Sequence, residues 1–153
     1  MNAGELCNRQ VITANRDTNV SEAAQLMRDK HVGSLIIVEE RDNHMEPVGI
    51  LTDRDIVIEV LAEKVDPEAV TVGDIMTRAV LKVCEQDSVL ETAQRMRARG
   101  VRRVPVITNQ GELVGVLALD DILKLVSEEL SLLVEVTTRE AEQEARKRSQ
   151  PRT

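Results

Sequence analysis

The chain repeats itself, and that repeat restricts the possible folds more than any other feature. Gly4-Glu5-Leu6 returns as Gly73-Asp74-Ile75, an offset of 69 residues that also carries Val11 to Val80, Val20 to Val89, Met27 to Met96 and Val32 to Val101. After a polar stretch over 39–47 the offset falls to 66, so Val48-Gly49-Ile50-Leu51 returns as Val114-Gly115-Val116-Leu117. One short insertion, confined to a polar loop, is how duplicated units usually differ. At 153 residues the chain is then one domain of two small halves that share a core.

Each copy carries the same period signals. Val11 to Thr13 and Val80 to Val83 are short β-prone segments. Helical spacing follows at Val20, Ala23, Ala24 and Met27, and again at Val89, Ala93 and Met96. Both helices open on a capping-box pattern, Asn19 with Glu22 and Ser88 with Glu91. Ser34 to Glu39 and Arg103 to Thr108 read as strands. Turns at Arg41-Asp42-Asn43 and Asn109-Gln110-Gly111 lead to a third strand that breaks directly into a helix. The fold class is therefore α/β: two β-α-β-β-α repeats with a C-terminal helical extension. Residues 4–62 and 73–134 are expected to form the repeats, 63–72 the linker and 135–153 a charged tail. Pro105 places its strand at an edge, or pairs it on one side only at that residue. Thr137-Thr138 is expected to interrupt the last helix, and the final residues to be disordered.

Composition narrows the function. A net charge of −7 argues against a nucleic-acid binder. No apolar run reaches membrane-spanning length, and the N-terminus carries no signal pattern. Cys7 and Cys84 have no metal-ligand or disulfide-framework spacing, so a reduced, cytoplasmic setting is expected, with a single disulfide between them as the alternative. His31 and His44 build no nucleophile–base set, so neither catalytic nor metal residues are assigned. With no Phe, Tyr or Trp, a planar ligand could be held only between aliphatic side chains.

The strand-to-helix junctions collect the polar groups: Thr52 and Asp55 in the first copy, Asp120 and Asp121 in the second. Together with Gly73-Asp74-Ile75-Met76-Thr77 and Val101-Arg102-Arg103-Val104-Pro105-Val106, this pattern resembles the tandem cystathionine-β-synthase (CBS) domain pair, or Bateman module, from about Gly4 to Leu133. The resemblance implies a pseudo-twofold pair with two clefts that take an adenosine compound: AMP, ADP, ATP, S-adenosylmethionine or a dinucleotide. It implies that Asp55 and Asp121 hold ribose hydroxyls and that Thr52 contacts ribose or phosphate. Val11, Ile12 and Ile50 would wall the first cleft, and Val80, Leu81 and Val116 the second. Ala118 stands where Thr52 stands in the first copy, and Arg102 and Arg103 replace Gly33 and Ser34. A guanidinium fork suits phosphate, so these two arginines are candidate phosphate ligands. Arg95, Arg97 and Arg99 read as a solvated helix face.

The function expected is a non-enzymatic regulatory module with no required cofactor. It would act as a homodimer, through self-association or a separate protein partner. The alternative is a structural dimer module with empty clefts, in which Thr52-x-x-Asp55 is only a helix cap.

Overall fold

The computed structural model describes residues 1–151, so Arg152 and Thr153, part of the chain end expected to be disordered, lie outside it. It divides into two compact units, Met1–Ala118 and a second beginning at Leu119.

In the first unit, a helical turn α1 (Ala3–Leu6) precedes β1 (Thr13–Ala14), α2 (Val20–Lys30), β2 (Ser34–Arg41) and β3 (His44–Thr52). α3 (Asp53–Ile56) follows and runs on into a π-helical turn, Val57–Leu61. The second copy repeats the order as α4 (Val72–Ile75), β4 (Val83–Cys84), α5 (Val89–Arg99), β5 (Arg103–Ile107) and β6 (Leu113–Ala118). Each copy makes a three-stranded sheet, β1-β2-β3 and β4-β5-β6, parallel on one side of the middle strand and antiparallel on the other. The second unit is α6, Leu119–Ser149.

The helices start where their caps do. Asn19 Oδ1 accepts from Glu22 N at 2.8 Å, and Ser88 Oγ from Glu91 N at 3.1 Å. They end at matching positions in the left-handed region, His31 with φ 55° and Gly100 with φ 65°. Arg95 does not lie on a solvated face as expected. It reaches Asp87 at 3.0 Å and donates to the Lys82 carbonyl at 2.9 Å, clipping α5 to the residues on either side of β4.

Three local expectations need correction. The stretch 39–47 is not a loop: β2 and β3 pair from Ser34↔Thr52 out to Arg41↔His44. The turn between them is Asp42-Asn43, both with positive φ (48° and 65°), the geometry that matches strand twist in a two-residue hairpin. The directly opposed Glu39 and Glu46 would repel. Arg16 and Arg41 pair with Glu39, while Arg41 and Lys82 approach Glu46 at 3.8 and 3.6 Å. α6 is unbroken through Thr137-Thr138, whose hydroxyls donate back to Leu133 O (3.3 Å) and Val134 O (3.2 Å). Val72, placed in the linker above, is fully buried and opens α4. Pro105 pairs on one side only: β5 is central, but β4 reaches no further than Val106 and Ile107.

The two copies exchange their leading turns. Val72 and Met76 belong to the second copy, yet they complete the first copy's core with Ala23, Met27, Leu35, Ile37 and Leu51. Conversely, α1 packs on α5, β4 and β6. The free N–H groups at the start of each turn are satisfied across the exchange. Val72 N donates to Thr18 O (2.7 Å) and Gly73 N to Arg16 O (3.0 Å); Ala3 N donates to Asp87 O (2.8 Å) and Gly4 N to Glu85 O (2.9 Å). Beyond each turn the chain crosses the other copy's third strand. Thr77 and Ile50 exchange two backbone bonds at 3.0 and 3.1 Å, as do Asn8 and Val116 at 2.9 Å each.

Both crossings pass close over a glycine, and a side chain there would be crowded. A Cβ on Gly115 would lie 2.6 Å from Cys7 Sγ and 2.7 Å from Asn8 O; one on Gly49 would lie 2.5 Å from Met76 Sδ and 3.1 Å from Thr77 O. Backbone cannot swing aside as a thioether can. Gly115→Ala should therefore cost about 2–3 kcal/mol and Gly49→Ala nearer 1 kcal/mol. Urea denaturation checks this, and equal costs would contradict the difference between the crossings.

A second expectation concerns acid. The Asp74 carboxyl is held below its ordinary 3.8, first by the Thr71 N–H that donates to it at 3.0 Å. A carboxylate depressed in the folded state stabilises above its unfolded value, and that contribution is lost as pH falls through the folded one. Asp74→Asn should remove part of the stability loss on acidification without adding any near neutrality. An unchanged acid limb in denaturation midpoints against pH would contradict this.

Candidate functional site

The residues expected to wall the first cleft lie across the end of the first sheet. Ile36 N donates to Ile12 O at 3.2 Å, Ile36 lies opposite Ile50, and Ile50 pairs with Thr77 from the exchanged segment. Ile12, Ile36, Ile50 and Thr77 thus form one row across four stretches of backbone. Val11, Ile12 and Ile50 are half-buried, the exposure a lining residue would have. At the same end Ser34 lies opposite Thr52, and Asp53 N donates to Gly33 O at 2.9 Å, tying the start of α3 to β2. A Cβ on Gly33 would lie 3.1 Å from Asp53 Oδ2, so a larger side chain there is crowded by that carboxylate.

Thr52 and Asp55 form a complete capping box. Asp55 N donates to Thr52 Oγ1 at 3.1 Å, and Thr52 N donates to Asp55 Oδ2 at 2.9 Å. Both residues remain half-buried. Among the described residues no hydrogen bond engages Asp55 Oδ1, and no acceptor takes the Thr52 hydroxyl proton. The junction therefore keeps one carboxylate oxygen that can accept from a hydroxyl and one hydroxyl that can donate.

In the second copy, Val116 exchanges its backbone bonds with Asn8, Pro105 lies opposite Val116, and Arg103 lies opposite Ala118. Val80, Leu81 and Val116 are half-buried, while Arg102 and Arg103 are exposed. The bond corresponding to Ile36 N–Ile12 O cannot form to Leu81, because Pro105 has no N–H. Asp121 lies in the first turn of α6, in the second unit, and is half-buried.

One pair of residues escaped the sequence reading. Arg78 donates to Gly73 O at 2.9 Å and Arg9 to Gly4 O at 3.2 Å, each capping its own exchanged turn from the residue after the crossing. Arg78 thereby follows directly on the Thr77 that edges the first row. The signal was present, since Arg9 and Arg78 are 69 residues apart. Among the described residues no group of three or more His, Cys, Asp or Glu is placed to hold a metal ion. The carboxylates with depressed values, Glu39 and Asp74, lie at the hairpin and on α4, outside the Thr52–Asp55 junction.

The box generates its own test. Thr52→Ala and Asp55→Ala should each cost about 1 kcal/mol, whereas Asp55→Asn should cost less because its amide oxygen still accepts the Thr52 N–H. Equal stability of Asp55→Ala and the parent in chemical denaturation would contradict the cap.

Comparison with known proteins agrees with this architecture. The CBS domain family matches twice, at residues 3–62 and 72–128. Protein MK0525 of Methanopyrus kandleri is 38% identical over 125 residues, 82% of this chain but 62% of the relative, so the chain spans less than two thirds of it. Hypoxic response protein 1 of Mycobacterium tuberculosis is 36% identical over 128 residues, covering 84% of this chain and 82% of the relative. A crystal structure of that protein, with two coordinated zinc ions, superposes with a TM-score of 0.70, covering 81% of this chain and 98% of the other. The CBS domain pair of protein MJ0100, solved in complex with 5′-methylthioadenosine and S-adenosyl-L-methionine, has a TM-score of 0.73 and 28% identity, covering 84% of this chain and 98% of the other. Two matched copies, each with the same sheet order and the same exchanged turn, make this chain a member of the CBS domain family, carrying a tandem pair.

Proposed function

We propose that the protein is a non-catalytic regulatory module whose clefts bind an adenosine-containing nucleotide. The observation that carries this reading is the Thr52–Asp55 junction. Its carboxylate is only half spent on the cap, and it adjoins the half-buried aliphatic row of Ile12 and Ile50. Aliphatic walls can enclose an adenine ring, the remaining Asp55 oxygen accepts from a ribose hydroxyl, and the Thr52 hydroxyl donates to ribose or phosphate. In the second copy Val80, Leu81 and Val116 are the walls and Arg102 and Arg103 the phosphate donors; Asp121, which belongs to the second unit, is the ribose acceptor by its place in the repeated motif. The adenosine ligands bound to the MJ0100 pair support this ligand class. No cofactor is required, and the setting is the cytoplasm; among the described residues no helix is long and apolar enough to cross a membrane.

Regulation follows from the exchange. A ligand touching Ile50 also touches the strand held by the other copy's Thr77, so a nucleotide that prefers one arrangement of the copies shifts their population. The signal passes through self-association as a homodimer or to a separate protein partner. Val57, Ile58 and Leu61 leave an apolar surface 53%, 42% and 71% exposed after the first junction, which suits such contacts.

A second reading has one specific observation in its favour. The capping box is complete, which is reason enough for Thr52 and Asp55 in a structural module with empty clefts.

Calorimetry separates the two. The parent should bind S-adenosylmethionine or AMP, and Asp55→Asn and Asp121→Asn should each weaken one site by roughly ten- to a hundredfold, the loss of a hydrogen bond to a charged acceptor. Melting temperatures without ligand should barely change. Because the chain has no aromatic residues, a nucleotide retained through purification would dominate absorbance near 260 nm. No heat with any adenosine nucleotide, or undiminished affinity in both variants, would favour the structural reading.

A further inference from the structure

α6 is a single helix of 31 residues, about 46 Å long. Its middle is apolar and uncovered: Leu130, Leu133 and Val134 are 60%, 65% and 57% exposed. Leu130, Val134, Thr137, Ala141 and Ala145 recur at spacings of three and four, so they form one stripe along the helix. Thr137 and Thr138 can sit in an apolar contact, because their hydroxyls are satisfied by the helix's own carbonyls.

Charge is distributed unevenly along the same helix. Residues 119–135 carry Asp120, Asp121, Glu128, Glu129 and Glu135 against Lys124 alone, while the last turn carries Arg146, Lys147 and Arg148. Glu129 and Lys147 are 18 residues apart, five whole turns, and so lie on the same flank of the stripe.

We propose that this face pairs with α6 of a second copy, antiparallel, about a twofold axis at Thr137-Thr138. The proposal specifies the self-association included in the function above and is independent of any ligand. Reversing the helix about that axis sets Leu130 against Ala145 and Val134 against Ala141, a large side chain opposite a small one at each level. It also brings Glu129 within one residue of the partner's Lys147, at both ends of the contact, and opposes the two helix dipoles. A parallel pair would instead align acidic half with acidic half and basic turn with basic turn, which repels.

The test uses the full chain with Cys84 replaced by Ser, leaving Cys7 buried. Leu130→Cys and Ala145→Cys are made on separate, differently tagged chains and oxidised under native conditions. An equimolar mixture should give mixed-tag disulfide dimers in about tenfold or greater excess over either variant alone. Self-linking of each variant would show a parallel pair, and no linking in any mixture would show that copies do not pair here; either result overturns the proposal. A second arm tests the charge pattern. Lys147→Glu should lower the mixed yield severalfold, and adding Glu129→Lys should restore it. A yield indifferent to both changes removes the basis for the antiparallel orientation.

Discussion

Two backbone crossings hold the first unit together. At each, the stretch after one copy's leading turn lies against the third strand of the other copy, close enough that a Cβ beneath it is crowded, by backbone at Gly115 and by the Met76 thioether at Gly49. Each crossing carries two backbone hydrogen bonds, and each preceding turn donates two more N–H groups into the other copy's loop. Buried side chains follow the same route. Val72 and Met76 seal a core otherwise made by residues 23–51, and fully burying each contributes about 1.5–3 kcal/mol. Neither copy can complete its own sheet edge or its own core.

That constraint also builds the candidate clefts. The row that would face a ligand runs from Ile12 through Ile36 and Ile50 to Thr77, and its last member is lent by the other copy. A molecule lodged at that row would touch both halves at once. The residues at the two proposed clefts are nevertheless unlike. The first has a complete Thr52–Asp55 box and an Asp53 carboxylate crowding Gly33. The second has Ala118 in place of Thr52, Leu119 in place of Asp53, and arginines in place of Gly33 and Ser34. A duplication that keeps its backbone plan while exchanging a carboxylate for guanidinium groups would give the two proposed sites different charge preferences.

Much of this was readable in the residues, for identifiable reasons. The repeat, the spacing of Val20, Ala23 and Met27, and the caps at Asn19 and Ser88 are local signals with a fixed period. The hairpin over 34–52 was not read in full because Glu39, Glu40, Arg41 and Glu46 look like loop. Two of these carboxylates meet cations that are distant in sequence, Glu39 with Arg16 and Glu46 with Lys82. Thr137-Thr138 looked like a break because β-branched residues disfavour helix. Back-bonded hydroxyls removed that conflict. The exchange itself was invisible: Gly4-Glu5-Leu6 and Gly73-Asp74-Ile75 announced that two segments correspond, but nothing local says that each packs on the other's copy. Among the candidate site residues, Thr52 and Asp55 stand out by spacing, whereas Thr77 and Arg78 acquire their place beside them only through the crossing.

Amide hydrogen exchange across residues 1–118 tests the exchanged architecture most directly. If each copy's core is closed by the other's leading turn, the slowest amides of β2 and β5 should open together, with one free energy equal to that of global unfolding. A copy that loses its protection at markedly lower free energy while the other stays closed would show that the halves stand independently, and the account of a mutually completed core would be wrong.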